Sequence, residues 1–235
     1  MESLQLERLL MPYQGEQQFE IFNQDQPTEL GLMRNHDWHI DPRRFAFTFS
    51  RYKFVSKMFQ NYDQVLEVGC GDAMATRLVQ QTVNSVTVID FDPVFIADIG
   101  RRQNPRWPIH AKQHNILDEP VNKLFDGIFS LDVLEHINPT EEHNFMTNIC
   151  QSLKPTGTTI IGMPSLESQT YASELSKQGH INCKTGDQLR NFMHQYFNAV
   201  FIFSMNDEVL HTGFLPMSHY LLAIGCHKRL ESATI

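Results

Sequence analysis

An acid and two glycines close an apolar run at Val65-Leu66-Glu67-Val68-Gly69-Cys70-Gly71-Asp72. This is how a strand delivers a flat, nucleotide-like ligand onto a tight turn. Gly69 and Gly71 lack a Cβ, so the backbone there can take angles closed to other residues and let an adenosyl group approach closely. About 20 residues further on, Asp90 ends the next apolar run, Val86 to Ile89, at the separation expected of a carboxylate that accepts from ribose hydroxyls. Together these residues predict an adenosine-binding α/β domain.

Met74 narrows the ligand. A dinucleotide site would want a third glycine at that position to seat a helix against a pyrophosphate, and the chain has Ala73-Met74-Ala75-Thr76 instead. The bulk of Met74 crowds a diphosphate but suits a ligand that has none, such as S-adenosyl-L-methionine, an adenosine carrying a sulfonium and an amino-acid tail. A nicotinamide-dependent oxidoreductase is thereby disfavoured. A non-catalytic adenosyl-binding module stays open, because it would keep the glycines and Asp90.

These groups work only if alternating elements hold them. Strands are expected at 64–68, 86–90, 109–115, 125–131 and 157–163, with helices near 73–82, 93–103 and 140–153 between them. Strand and helix in alternation at this spacing mean parallel crossovers and a sheet covered on both faces. After a helix near 185–195, strands at 199–205 and 218–226 are separated only by Asn206 to Met217, too little for a helical crossover, so the last pair should be antiparallel. Asp41-Pro42 offers an N-cap and a first-turn proline to a helix from about 42 to 60, with Phe45, Phe49, Tyr52, Val55 and Phe59 along a core-facing side. Residues 1–40, polar and rich in Gln and Glu, read as an N-terminal extension or lid.

Composition bounds the function. The 235 residues, 41% hydrophobic and 20% charged, suit one domain with a sizeable core. A formal net charge of −8 argues against a nucleic-acid surface, and the basic clusters around Arg43 to Lys57 and Arg101 to Arg106 read as solvated helix faces. No apolar run is long enough to span a membrane, and the first residues lack a basic segment followed by an apolar one. Cys70, Cys150, Cys183 and Cys226 are too dispersed for a disulfide framework or a zinc site. A cytoplasmic location is the expectation.

The motifs resemble, in order from residue 45 to 226, the class I S-adenosylmethionine-dependent methyltransferases. Val65 to Asp72 is similar to the first motif of that family, and Val88-Ile89-Asp90-Phe91-Asp92-Pro93 to its ribose-binding strand end. Phe125-Asp126-Gly127-Ile128-Phe129-Ser130-Leu131-Asp132-Val133-Leu134-Glu135-His136-Ile137 is similar to the fourth strand and its Leu-Glu-His signature. Leu153-Lys154-Pro155-Thr156-Gly157 resembles the turn before the fifth strand, with Thr156 where the family often has glycine. The resemblance implies an α/β, Rossmann-like fold: a seven-stranded, mostly parallel sheet with an antiparallel C-terminal hairpin and helices on both faces, here at 41–235. It also implies ligand roles. Glu67, Gly69, Cys70 and Gly71 would line the sulfonium and amino-acid end; Asp90 would hold the ribose, with Phe91 beside the adenine; Asn115, standing where an acid is common, and Ile116 would flank the ring; Leu131 would pack near the methionine portion. Arg51 resembles an arginine that quinone-biosynthesis methyltransferases place against the cofactor carboxylate.

The implied reaction is methyl transfer by in-line displacement, leaving S-adenosyl-L-homocysteine, with alignment of the reactants as the main contribution of the protein. A base must lie within reach of the proton it removes, and ligands in such sheets bind beyond the carboxyl ends of the strands. His180, in the long loop after the fifth strand, is the first candidate for a base, followed by His136 and Asp132. No metal is expected: His110 and His114, on one strand face, would lie roughly 13 Å apart, and His36 and His39 lack a third ligand nearby in sequence. Ser50 to Phe54, Gly162 to Ser168 and Phe203 to Glu208 are similar to a bacterial group associated with surface-polysaccharide modification. The acceptor expected from them is a hydroxyl or amine of a small molecule, a sugar or nucleotide-linked sugar first and a quinone precursor as the alternative. A homodimer is compatible with the resemblance.

Overall fold

Consecutive residues of the central strands are buried on alternate faces, which is what a covered parallel sheet requires. The computed structural model describes residues 27–229; the expected N-terminal extension therefore lies outside the described residues up to 26. Contacts divide the chain into Met1–Leu30 and Gly31–Ile235, and all elements named here belong to the second unit. Leu66, Ile89, Ile128 and Ile161 pack into the core on one face of the sheet, while Val65, Val88, Phe129 and Ile160 pack into the core on the other. Each of these side chains is at most 1% exposed.

The strands are β1 (Gln64–Val68), β2 (Ser85–Asp90), β3 (His110–Gln113), β4 (Phe125–Leu131), β5 (Leu153–Pro164), β6 (Phe197–Asn206), β7 (Val209–His211) and β8 (Tyr220–Lys228). Their spatial order is β3-β2-β1-β4-β5-β8-β6-β7. The first five are parallel, and β8 runs antiparallel between β5 and β6. The order reverses between β1 and β4, and the crevice beyond their carboxyl ends is where an open α/β sheet takes its ligand.

Eight strands, not the expected seven, make up this sheet among the described residues. The addition is β7, which pairs antiparallel with β6 across a tight Asp207-Glu208 turn. Asp207 takes a left-handed φ of 52° there, a conformation aspartate tolerates better than most residues. Val209 and Leu210 are exposed, so the strand leaves no burial pattern in the sequence.

The helices are α1 (Leu32–Ile40), α2 (Arg43–Met58), α3 (Arg77–Gln80), α4 (Pro93–Arg101), α5 (Glu142–Ser152), α6 (Glu174–Gly179) and α7 (Gly186–His194). In α2 the expected side is core: Tyr52 and Val55 are buried, as is Phe59 just beyond its end, while Phe45 stacks on Phe49 with centroids 5.8 Å apart. The helix expected near 73–82 shrinks to α3. Ala73 has a left-handed φ of 49°, and the Asp72 carboxylate accepts from the Met74 amide at 3.1 Å, so the chain turns before it coils.

Asp72 also ties α1 to this loop. Gly31 caps α1 with no side chain to offer, and the missing acceptor comes from elsewhere: Asp72 Oδ2 accepts from the Arg34 amide at 2.7 Å. Asp98, at 3.4 Å, takes the Leu32 amide, and Arg102 links both acids by donating to the Asp72 carbonyl and pairing with Asp98. Removing a capping acceptor costs about 0.5–2 kcal/mol. Asp72→Ala should lower the unfolding free energy by about 1–2 kcal/mol in urea titrations; an unchanged midpoint would mean that α1 holds its place without this cap.

Candidate active site

The glycine turn and the strand-tip acid meet. Gly69 and Gly71 both have left-handed φ, 72° and 51°, which lets the loop fold back over β2. The Gly69 and Cys70 amides donate to the Ile89 carbonyl at 2.9 and 3.1 Å, and the Gly71 amide donates to Asp90 Oδ2 at 2.9 Å. Asp90 Oδ1 takes the Asp92 amide at 3.0 Å. A carboxylate has lone pairs beyond these two, so Asp90 still has acceptor capacity for a ligand. Cys70 is buried in the turn, and burial pushes its thiol far above the ordinary range.

Phe91, at the tip of β2, is 71% exposed, an aromatic face free to stack on a planar ring. The other predicted ligand positions are occupied by the fold itself. Asn115 turns its side-chain oxygen to the Leu117 amide at 3.1 Å. Ile116 is buried in one core, and its carbonyl takes the Asn148 amide group at 2.7 Å. Leu131 is buried in the other core.

Beneath the turn lies Glu67, 1% exposed. Tyr52 donates its hydroxyl to Glu67 Oε1 and Thr76 donates to Oε2, each at 2.6 Å. Burial pushes the carboxyl up to about 7; the two hydroxyl donors oppose that shift, and Asp72 and Asp90 add to it. Thr76 carries no sequence signal of its own, and Tyr52 read only as a core-facing residue of its helix.

Across the crevice, Asp132 follows β4 with a left-handed φ of 58°, held by its amide donating to the Gly162 carbonyl at 3.0 Å. Both Asp132 oxygens accept from Arg51 Nη1, at 2.9 and 2.8 Å. The Arg51 guanidinium carbon sits 3.7 Å from the centroid of the Tyr220 ring, and Arg51 Nε is buried with no hydrogen-bond partner. The charge of Asp132 keeps Arg51 firmly protonated against the opposing effect of burial. Tyr220, the first residue of β8, carried no motif that would have marked it.

The two candidate histidines converge at 5.1 Å between ring centroids, edge to face. Asp132 makes no hydrogen bond to either, because its carboxylate faces Arg51 and His136 turns away on the tight 3-10 turn Leu134–His136. His136 Nδ1 is 2.9 Å from the Gly179 carbonyl, and His180 Nδ1 is 2.9 Å from Gln169 Oε1. Burial and the neighbouring His136 lower the pKa of His180. Close to both is Glu135, 1% exposed, with both carboxylate oxygens buried and unbonded; burial first, then Asp132, drives its pKa well up. Ligand atoms of Glu135, His136 and His180 lie within 4.8 Å of one another. The pairs His36/His39 and His110/His114 belong to no such cluster among the described residues.

A family model described as a methyltransferase domain matches residues 65–157. The chain is 32% identical over 139 residues to a ubiquinone biosynthesis O-methyltransferase of Rickettsia canadensis, covering 56% of this chain and 55% of that one. It is 24% identical over 139 residues to a malonyl-[acyl-carrier protein] O-methyltransferase of Calditerrivibrio nitroreducens, covering 59% and 53%. The chain thus spans about half the length of the curated relatives it matches. Among solved structures, the N-methyltransferase NodS of Bradyrhizobium japonicum in complex with S-adenosyl-L-homocysteine superposes with a TM-score of 0.58 at 21% identity, covering 81% and 91%. That likeness places the fold. No helix of the described residues is long and apolar enough to cross a membrane.

Glu67 makes the stability depend on pH. Its carboxyl titrates near 4.5 in an unfolded chain and at about 7 in the folded one, so between those values the folded state binds the extra proton, and above them it must bury an anion. Its contribution to the unfolding free energy is therefore full below 4.5 and declines as pH rises through about 7. In urea titrations at about pH 5 and about pH 8, Glu67→Gln should lose less stability than the parent on going to the higher pH; equal losses would show that Glu67 is not the titrating group.

Proposed function

We infer that this chain, which carries a class I S-adenosylmethionine-dependent methyltransferase domain, transfers the cofactor methyl group to an oxygen of a small acceptor lying beyond β4 and β5. The observation that carries this reading is the cradle at the sheet's reversal point, where the Gly71 amide and the Asp90 carboxylate are bonded into one edge and Arg51 is held by Asp132 at the end of β4. The fit to the cofactor follows from charge and polarity: Asp90, bonded only by backbone amides, keeps acceptor capacity for ribose hydroxyls, and the Arg51 guanidinium suits a carboxylate tail.

When bound, S-adenosylmethionine supplies a methyl carbon activated by a sulfonium leaving group. Asp90 would accept from the ribose hydroxyls, Phe91 would stack on the adenine, and the Gly69-Cys70-Gly71 backbone would allow close approach. Arg51 would pair with the amino-acid carboxylate. Ile116 and Leu131, as core residues, would act by shape rather than by hydrogen bonds. Because alignment is the main catalytic contribution, these residues act chiefly by fixing the methyl group toward the acceptor side, where Asp132, His136 and His180 lie. α1 would serve as a lid: the sulfur of Met33 lies 2.5 Å from where a Cβ on Gly71 would stand, over the glycine turn.

The curated relatives described above are O-methyltransferases by name, which favours oxygen over nitrogen. They lend no support to the sugar acceptor suggested by the sequence segments, and a quinone precursor is the better-supported choice. The test is formation of S-adenosyl-L-homocysteine with a panel of hydroxylated quinone precursors and sugars, read by mass spectrometry. Asp90→Ala should abolish turnover and weaken cofactor binding by about 1–3 kcal/mol in calorimetry; unchanged affinity would overturn the ribose assignment.

Asp132 and the cofactor carboxylate would compete for Arg51. Asp132→Asn removes the charge that now occupies Nη1, so it should tighten cofactor binding several-fold while Arg51→Met weakens it. Equal or weaker affinity in Asp132→Asn would remove competition from this reading.

A further inference from the structure

We propose that Glu135, His136 and His180 form a binding site for a divalent transition cation, with open coordination positions toward the acceptor oxygen. Three independent features of the structure point there. The first is the carboxylate: both oxygens of Glu135 are buried without a hydrogen-bond partner in a residue that is 1% exposed. A buried, unbonded carboxylate is costly unless something positive meets it.

The second feature is the tautomer of each imidazole. The Gly179 carbonyl can only accept, so His136 Nδ1 carries the proton and donates to it at 2.9 Å. Gln169 turns its Nε2 to the Ser165 carbonyl and Ser168 hydroxyl, which leaves its Oε1 to accept from His180 Nδ1 at 2.9 Å. Both rings therefore keep a bare Nε2. An imidazole whose other nitrogen donates to a carbonyl is the usual supporting arrangement around a metal ligand.

The third feature is distance. Ligands about 2.0–2.2 Å from one ion lie about 3–4 Å from one another. The three side chains offer ligand atoms within 4.8 Å of one another, and His136 Nε2 is 4.0 Å from Glu135 Oε1. Side-chain shifts of less than about 1 Å would close that set on one ion. The backbone already holds the pieces together, since the Asn182 amide donates to the Glu135 carbonyl at 3.0 Å and fastens the segment after His180 to the turn that carries Glu135 and His136.

Ligand chemistry selects the ion. Two imidazole nitrogens and one carboxylate oxygen suit zinc, iron(II), cobalt(II) or manganese(II) better than magnesium or calcium, which prefer all-oxygen sets. Three protein ligands leave positions open, as in catalytic rather than structural sites, and His136, with its side chain 50% exposed, gives solvent an entry path. The role of the open position rests on the methyltransferase reading: a hydroxyl bound there loses its proton to water more readily. The new bond then forms between that oxygen and the methyl carbon, while the carbon–sulfur bond breaks with its electron pair left on sulfur.

Binding can be tested without turnover. Cobalt(II) added to the full chain should develop visible d–d absorption bands and displace stoichiometrically with zinc, and calorimetry should show the same single site. His180→Gln and Glu135→Gln should each weaken cobalt affinity at least tenfold, with His136→Gln as a third variant should either fail to fold. Cofactor affinity, measured separately, should hold in His180→Gln. Absence of cobalt, zinc and manganese binding to the parent chain, or binding that the variants leave unchanged, would overturn the site. Metal binding without any S-adenosylmethionine binding would leave the site standing and remove the methyltransferase reading instead.

Discussion

The hydrogen bond from the Gly71 amide to the Asp90 carboxylate joins the ends of two neighbouring parallel strands, and the site is built outward from it. A loop that leaves β1 with left-handed glycines cannot continue the regular ladder, and its buried amides need other acceptors. The Ile89 carbonyl and the Asp90 side chain supply the missing acceptors. With the loop so fixed, Asp72 is aimed at the start of α1 and Glu67 is sealed under Tyr52 and Thr76.

Charge is arranged unevenly around this crevice. Glu67, Asp72, Asp90 and Glu135 are buried, and their offsets differ: Asp90 takes backbone amides, Glu67 takes hydroxyls, Asp72 takes amides and lies beside Arg102, and Glu135 takes nothing. A carboxylate held by backbone amides keeps its negative potential, one paired with arginine does not, and burial pushes the carboxyls of Glu67 and Glu135 toward the neutral form. The side of the crevice at Asp90 is therefore suited to a ligand that donates hydrogen bonds, and the Arg51 side to an anionic group.

Much of this was legible in the residues. Apolar runs of strand length, with Asp or Gly at their ends, marked β1, β2, β4 and β5, and Asp92-Pro93 marked the start of α4, where Asp92 does accept from the Val94 amide. The glycine turn and Asp90 were readable because a backbone conformation demands particular residue types. β7 was not, since Val209 and Leu210 pair by backbone alone and expose their side chains. The cluster around Glu135 was half-visible: His136 and His180 each stood out, but histidine spacing along the chain could only compare near neighbours. Their meeting depends on Gly179 and Asn182 bonding back to the turn after β4, a long-range contact that no local pattern encodes. Arg51 was found through its resemblance to a known position, while Tyr220, against which it rests, lies at the far end of the chain.

The position of β8 carries a consequence for biogenesis. β8 is made after β6 yet lies between β5 and β6, so neither flanking strand can complete its pairing on that side until β8 has left the ribosome. Until then β5 presents an open edge that includes Ile160 and Ile161, and Arg51 lacks the aromatic ring it leans on. Edges of this kind recruit other strands when left waiting. The interval before β8 arrives is thus the period in which this sheet is most exposed to mispairing, and in which a chaperone would have the most to shield.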